Sequence, residues 1–77
     1  MLFNGFRYDL TKYGRQNQTD VSYTANSTED LIEMITGFGY ELNTHVGHTD
    51  IDILVFGKTT NLDDTEVIVI DDFGEAK

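Results

Sequence analysis

The chain has no cysteine and no proline. Without cysteine there is no disulfide, no thiolate nucleophile, no thiolate zinc site and no iron–sulfur cluster. No apolar run approaches the ~20 residues of a membrane-spanning helix, and no basic stretch leads into an apolar one as in a secretory leader. The expected setting is a soluble protein of the cytoplasm, and the opening Met1 reads as the start of a complete small protein. Basic residues are scarce as well. Five Lys and Arg stand against fourteen Asp and Glu, for a net charge of −9. A field of that sign repels nucleic acid and anionic membrane and draws basic surfaces in faster. Length excludes something too. Seventy-seven residues are expected to form one domain, 1–77, that buries only about 60% of the surface its unfolded chain exposes. So thin a core leaves little chain for the walls of a deep catalytic cleft, and no enzyme is expected. What is present suffices to fold: 39% of the residues are hydrophobic, with four Tyr and five Phe, richer than a disordered tail.

The charge is unevenly spread. Residues 1–20 carry Arg7, Lys12 and Arg15 against Asp9 and Asp20, a balance of +1, whereas residues 21–77 have a balance of −10. Small soluble domains commonly carry a net charge of about 2–8, so −9 lies just outside the range that solubility alone requires.

Alternation places Phe6, Tyr8 and Leu10 on one face of a strand over Phe6–Tyr13, with Arg7, Asp9 and Thr11 on the other. Asn4-Gly5 is a turn pair that would separate a short strand at residues 2–3. Gly14 to Asp20 is polar and reads as a loop, and Val21 to Thr24 as a short second strand. The helix signal is the clearest. Asn26 and Ser27 are both good N-caps, each with an acid three residues on (Glu29 and Asp30), and Leu31 and Ile35 form an apolar stripe that Ile32 and Met34 widen. Gly37 or Gly39 ends it after about ten residues. Three strands are expected to follow: Tyr40–Val46, Asp50–Phe56 after a tight turn at Gly47–Thr49, and Glu66–Ile70 after a loop from Gly57 to Asp64. The sum is an α+β domain in the order β-β-α-β-β-β, with one mainly antiparallel sheet of four to five strands and one short helix.

One mismatch stands out. Residues 50–56 and 66–70 are apolar on both strand faces, but a ten-residue helix covers only one. The second face requires the N-terminal strands folded across it, a C-terminal turn anchored by Phe73, or another chain, so a homodimer is one expectation.

The polar clusters carry little specific chemistry. His45, His48, Asp50 and Asp52 are ligand types for a divalent ion, but their spacing matches no strong zinc signature, and a solvated hairpin accounts for them equally well. Asp50-x-Asp52 and Asp63-Asp64 have no glycine-rich phosphate loop or calcium-loop pattern beside them. Ser22 and Ser27 lack a nucleophile elbow. Tyr8, Tyr13, Tyr23, Tyr40, Phe6 and Phe38 could stack bases only beside a positive groove, and they read more simply as core. No metal or cofactor is expected.

Two resemblances follow from these residues. From Ser27 to Phe73 the helix Leu31–Ile35, the turn and strand Gly39–Leu42, the strand Asp50–Gly57 and the run Val67–Phe73 resemble part of a BRCT domain. That resemblance implies a protein-interaction or scaffolding module and would make Thr11 a phosphate contact; Asn61–Thr65 is all that stands where that family has its second helix and phosphate-binding Lys. As a class, a small, very acidic, cysteine-free chain resembles the phage-encoded DNA mimics, which occupy the DNA-binding surface of a host protein such as the nucleoid protein HU. The physical basis is spacing. Alternate strand residues lie about 6.7 Å apart, close to two phosphate steps of roughly 3.4 Å. This second resemblance implies a non-catalytic inhibitor in the host bacterial cytoplasm that binds a basic DNA-binding protein and neither nucleic acid nor membrane. Its candidate contact residues are Asp50, Asp52, Asp71 and Asp72, expected to form one patch, together with Asp63, Asp64, Glu66 and the helix acids Glu29, Asp30 and Glu33.

Overall fold

The computed structural model describes residues 1–47 and 52–73, with backbone alone over 43–47 and at 52. Strands β1 (Leu2–Thr11), β2 (Gly14–Thr24), β3 (Glu41–Gly47), β4 (Asp52–Asn61) and β5 (Asp64–Asp72) form one antiparallel sheet in the order β2-β1-β5-β4-β3. A single helix, α1 (Thr28–Gly37), connects β2 to β3. The fold is α+β.

The helix begins where its cap dictates. Ser27 is extended at φ −155° and ψ 169°, and its Oγ accepts from the Asp30 N–H at 3.1 Å, satisfying one of the orphan donors of the first turn. It ends at Gly37 with Phe38 as its cap, and Gly39 follows at a φ of +98°, which suits a residue without a β-carbon; the Gly39 N–H donates to the Thr36 carbonyl at 3.0 Å. Leu31 and Ile35 are fully buried against Phe3, Leu54, Phe56, Ile68 and Ile70. Phe73 meets Phe3 edge-on at 5.5 Å, so the chain's end also packs on the helix side.

Register explains the choice of side chains. Leu54 faces Ile70 and Phe56 faces Ile68, and this even-numbered set lies under the helix. The odd-numbered set, Ile53, Val55, Val67 and Val69, lies on the opposite face with Phe6 and Tyr8. No described element covers that face, because β1 and β2 extend the sheet instead of folding across it and α1 sits on the other side.

Several sequence expectations change. Asn4-Gly5 does not turn the chain: β1 is continuous, and Gly5 instead takes a register shift against β5, where Asn4 pairs with Asp72 and Gly5 with Ile70. Gly14 to Asp20 is strand, not loop. It lies at the sheet edge with both faces exposed, so its polar side chains need no burial while its backbone pairs with β1. Asn17, at φ +58°, interrupts this edge, as irregular residues commonly do where a sheet must not recruit another strand. The loop expected from Gly57 to Asp64 is largely strand, with Lys58 opposite Glu66 and Thr59 opposite Thr65, leaving Leu62 and Asp63 as the turn. Strand β3 starts at Glu41, and a register shift after Leu42 breaks its expected alternation. The aromatics also divide differently: Phe3 and Phe56 build the core, Phe6 and Tyr8 lie on the uncovered face, and Tyr13 and Phe38 are exposed.

Candidate acidic interface

The antiparallel ladders bring particular chain positions to one end of the sheet. There β1 and β4 begin and β2 and β5 end, as the pairs Leu2–Thr24, Asn4–Asp72 and Leu54–Ile70 require. The helix enters from the same end, because the Met1 ammonium donates to the Ala25 carbonyl at 2.8 Å and the Ala25 N–H returns to the Met1 carbonyl at 3.1 Å. Asp71 and Asp72 at the close of β5 therefore share a pole of the molecule with Glu29 and Asp30 in the first turn of α1, and all four are exposed. Glu33 follows one turn along the helix, also exposed. Asp52 opens β4 at this pole, and Asp50 lies outside the described residues.

Asp20 joins this group, although it stood in the near-neutral N-terminal stretch. It pairs with Phe6 across β1, and with Asp71, Asp72, Asn4 and Ser22 it lines an open groove over Gly5. The Asn4 amide donates to Asp72 Oδ2 at 3.4 Å, and the Ser22 hydroxyl donates to Asn4 Oδ1. The signal for Asp20 was its register with Phe6, which a loop reading of 14–20 concealed.

The other candidates are elsewhere. Asp63 is exposed in the β4–β5 turn and Asp64 half-buried beside it, at the opposite end of the sheet. Glu66 belongs to an internal network on the helix side, past the helix end. The Arg7 Nε donates to Glu66 Oε2 at 3.1 Å, and Arg7 Nη2 lies 2.9 Å from that oxygen and 3.0 Å from Asp9 Oδ1. The Tyr40 hydroxyl donates to the same Glu66 oxygen. Thr11 closes the β1–β2 turn, its Oγ1 accepting from the Tyr13 N–H and donating to the Gly14 carbonyl.

Burial pushes the Tyr40 phenol up to about 12, reinforced by its hydrogen bond to Glu66 and by the Glu66 charge. The unfolded chain releases that proton near its ordinary value of about 10. The stability that Tyr40 contributes is thus fully present below pH 10 and is lost as pH rises through about 12. Urea unfolding measured across this window should show Tyr40→Phe losing less stability than the wild type. Parallel losses in the two proteins would assign the alkaline sensitivity to another group.

The basic side chains contact the chain's own groups, and Lys12 and Arg15 are exposed as they do so. Arg7 is paired as above, Lys12 lies 5.4 Å from the Tyr13 ring centroid, Arg15 lies 4.5 Å from that of Tyr8, and Lys58 lies 5.4 Å from that of Tyr40 while donating to the Phe38 carbonyl at 3.2 Å. Both ion pairs among the described residues use Arg7. Among the described residues no group of three or more His, Asp or Glu is placed to hold a metal ion, and no helix is long and apolar enough to cross a membrane; the side chains of His45, His48, Asp50 and Asp52 lie outside that description. No protein-family model matches the chain, and no curated protein or solved structure matches it.

Proposed function

We propose that this protein is a non-catalytic interaction protein whose acidic pole imitates the charge of DNA and occupies the DNA-binding surface of a basic protein of a bacterial host. One observation carries the reading. Each of the four described cations rests on an aromatic ring or carboxylate of its own chain, whereas Glu29, Asp30, Asp71 and Asp72 project together at one end. The exposed cations Lys12 and Arg15 lie by the β1–β2 turn at the opposite end of the sheet, so negative charge dominates this pole. A basic groove would exchange its counterions for these carboxylates, as it does for phosphates.

The test uses a nucleoid protein such as HU bound to a labelled DNA duplex. The acidic protein should release the duplex, yet cause no mobility shift with bare DNA; a shift would instead favour a phosphate-binding module. Release should weaken steeply as salt rises to about 0.5 M, because exposed charges are screened within about 8 Å already at physiological ionic strength. Each exposed ion pair contributes about 0.2–1 kcal/mol. Replacing Glu29 by Gln and Asp30, Asp71 and Asp72 by Asn should thus weaken competition by roughly fourfold to a thousandfold, with the circular dichroism spectrum unchanged. Salt-independent release, or full potency in the quadruple variant, would reject the acidic pole as the contact surface.

A further inference from the structure

We infer that a second copy of this chain covers the open face of the sheet, forming a two-layered sandwich with the two helices outside. A sheet apolar on both faces ordinarily has both faces covered. Here Phe6, Ile53, Val55 and Val69 remain half-buried on a face that no described element crosses, and Leu10 is 43% exposed beside them. Size fits this occupant. Five strands spaced about 4.8 Å apart, with ten residues at about 3.4 Å each, present a face of roughly 24 by 34 Å. The product is about 800 Å², the area per partner in a standard stable interface.

Charge selects a copy of the same chain over an unrelated partner. On this face the edge strand β2 carries Arg15 opposite Leu10 and Asp20 opposite Phe6, with Tyr8 midway between them. The two charges are of opposite sign and symmetric about that midpoint. A twofold axis lying between the sheets, crossing the strands at Tyr8, sets Arg15 of each copy over Asp20 of the other and Phe6 over Leu10. It passes over Tyr8 and Val67, which are paired neighbours and the best buried side chains of this face, 8% and 6% exposed. An axis at Phe6 would instead oppose Asp20 to Asp20. The strands of the two sheets then run antiparallel to one another, consistent with aligned sandwich packing at about 30°. Glu29 and Asp30, on the outer helices, stay clear of the interface, whereas Asp20 belongs both to the interface and to the groove it lines with Asp71 and Asp72. This arrangement does not depend on the DNA-mimic reading.

Sedimentation equilibrium tests it at about 0.1 mM protein, since self-association follows concentration. The wild type should show twice the 8.7 kDa chain mass, and should do so also at about 0.5 M salt, where charge-based binding to a basic protein is screened. Val69→Lys places a charge on the apolar face and should give a folded monomer by circular dichroism. Arg15→Asp, at an exposed position that does not burden folding, should weaken the dimer at least threefold, and adding Asp20→Arg should restore it. A wild type that stays at 8.7 kDa up to about 1 mM overturns the inference. So does a dimeric Val69→Lys protein, and so does a double charge swap that binds no better than the single one.

Discussion

Phe56→Ala should destabilise the protein by about 3–5 kcal/mol, the range for emptying a fully buried aromatic site. Phe56 is 0% exposed and belongs to the cluster formed by Phe3, Leu31, Ile35, Leu54, Ile68 and Ile70. It lies on a central strand pair, opposite Ile68 on β5 and Leu42 on β3. Strands on both sides hold the backbone in place, so the site cannot collapse to refill the space. Domains this small sit toward the lower part of the 5–15 kcal/mol range of folding stability, and the loss would leave much of the population unfolded at room temperature. Val55→Ala supplies the contrast. Val55 is the adjacent residue but points to the open face and is half-buried; measured at dilution where the chain is monomeric, its loss should be about 1 kcal/mol. Urea denaturation midpoints of the two variants decide the matter. Equal losses would mean that the helix-side cluster is not the main core.

Gly5→Ala should cost at least about 3 kcal/mol, at the upper end of what overpacking ordinarily causes. A β-carbon at Gly5 would stand 1.8 Å from the Val69 carbonyl oxygen, 2.8 Å from its carbon and 2.9 Å from Ile70 Cα. All three are backbone atoms of the neighbouring strand, so no rotamer change relieves the clash. The strands must part or the register must slip. In a domain of this size the melting temperature should fall by roughly 12 °C or more. The acidic pole should be altered in the same variant, because the register shift between Asn4 and Gly5 is what sets Asn4 opposite Asp72. Gly37→Ala is the control. Nothing lies within 4 Å of a β-carbon at that helical position, and alanine there should be neutral or slightly stabilising. If Gly5→Ala melted within a few degrees of wild type, β1 and β5 would not approach as closely as described.

These two sites differ in how far the sequence announced them. Leu54 and Phe56 alternate with Ile53 and Val55, which marks a strand apolar on both faces before any partner is known. Gly5 follows Asn4 and reads as a turn. The dipeptide is equally suited to a bulge, and only the Val69 carbonyl on a strand more than sixty residues away decides between the two. The same holds for Gly14 to Asp20. A polar run is a loop by composition, but at a sheet edge its backbone can pair on one side while every side chain stays in water. Asp71 and Asp72 were visible as acids and as neighbours of the β4 start; their company with Asp20 was not, since that depends on β1 lying between β2 and β5.

Composition and short-range pattern by themselves determined the α+β class, a capped helix of about ten residues stopped at Gly37 or Gly39, the apolar character of both faces of β4 and β5, and the strong negative charge. Those properties reside in neighbours three or four positions apart along the chain, where caps, periodicity and charge act directly. Only the tertiary structure decided that β1 and β2 join the sheet instead of covering it, that Arg7 holds Glu66 inside, and that Glu29 and Asp30 share a pole with Asp71 and Asp72. Strand pairing is made by backbone groups that every residue carries alike. Its partners are therefore chosen by the packing of the whole sheet, and no local run of residues spells them out.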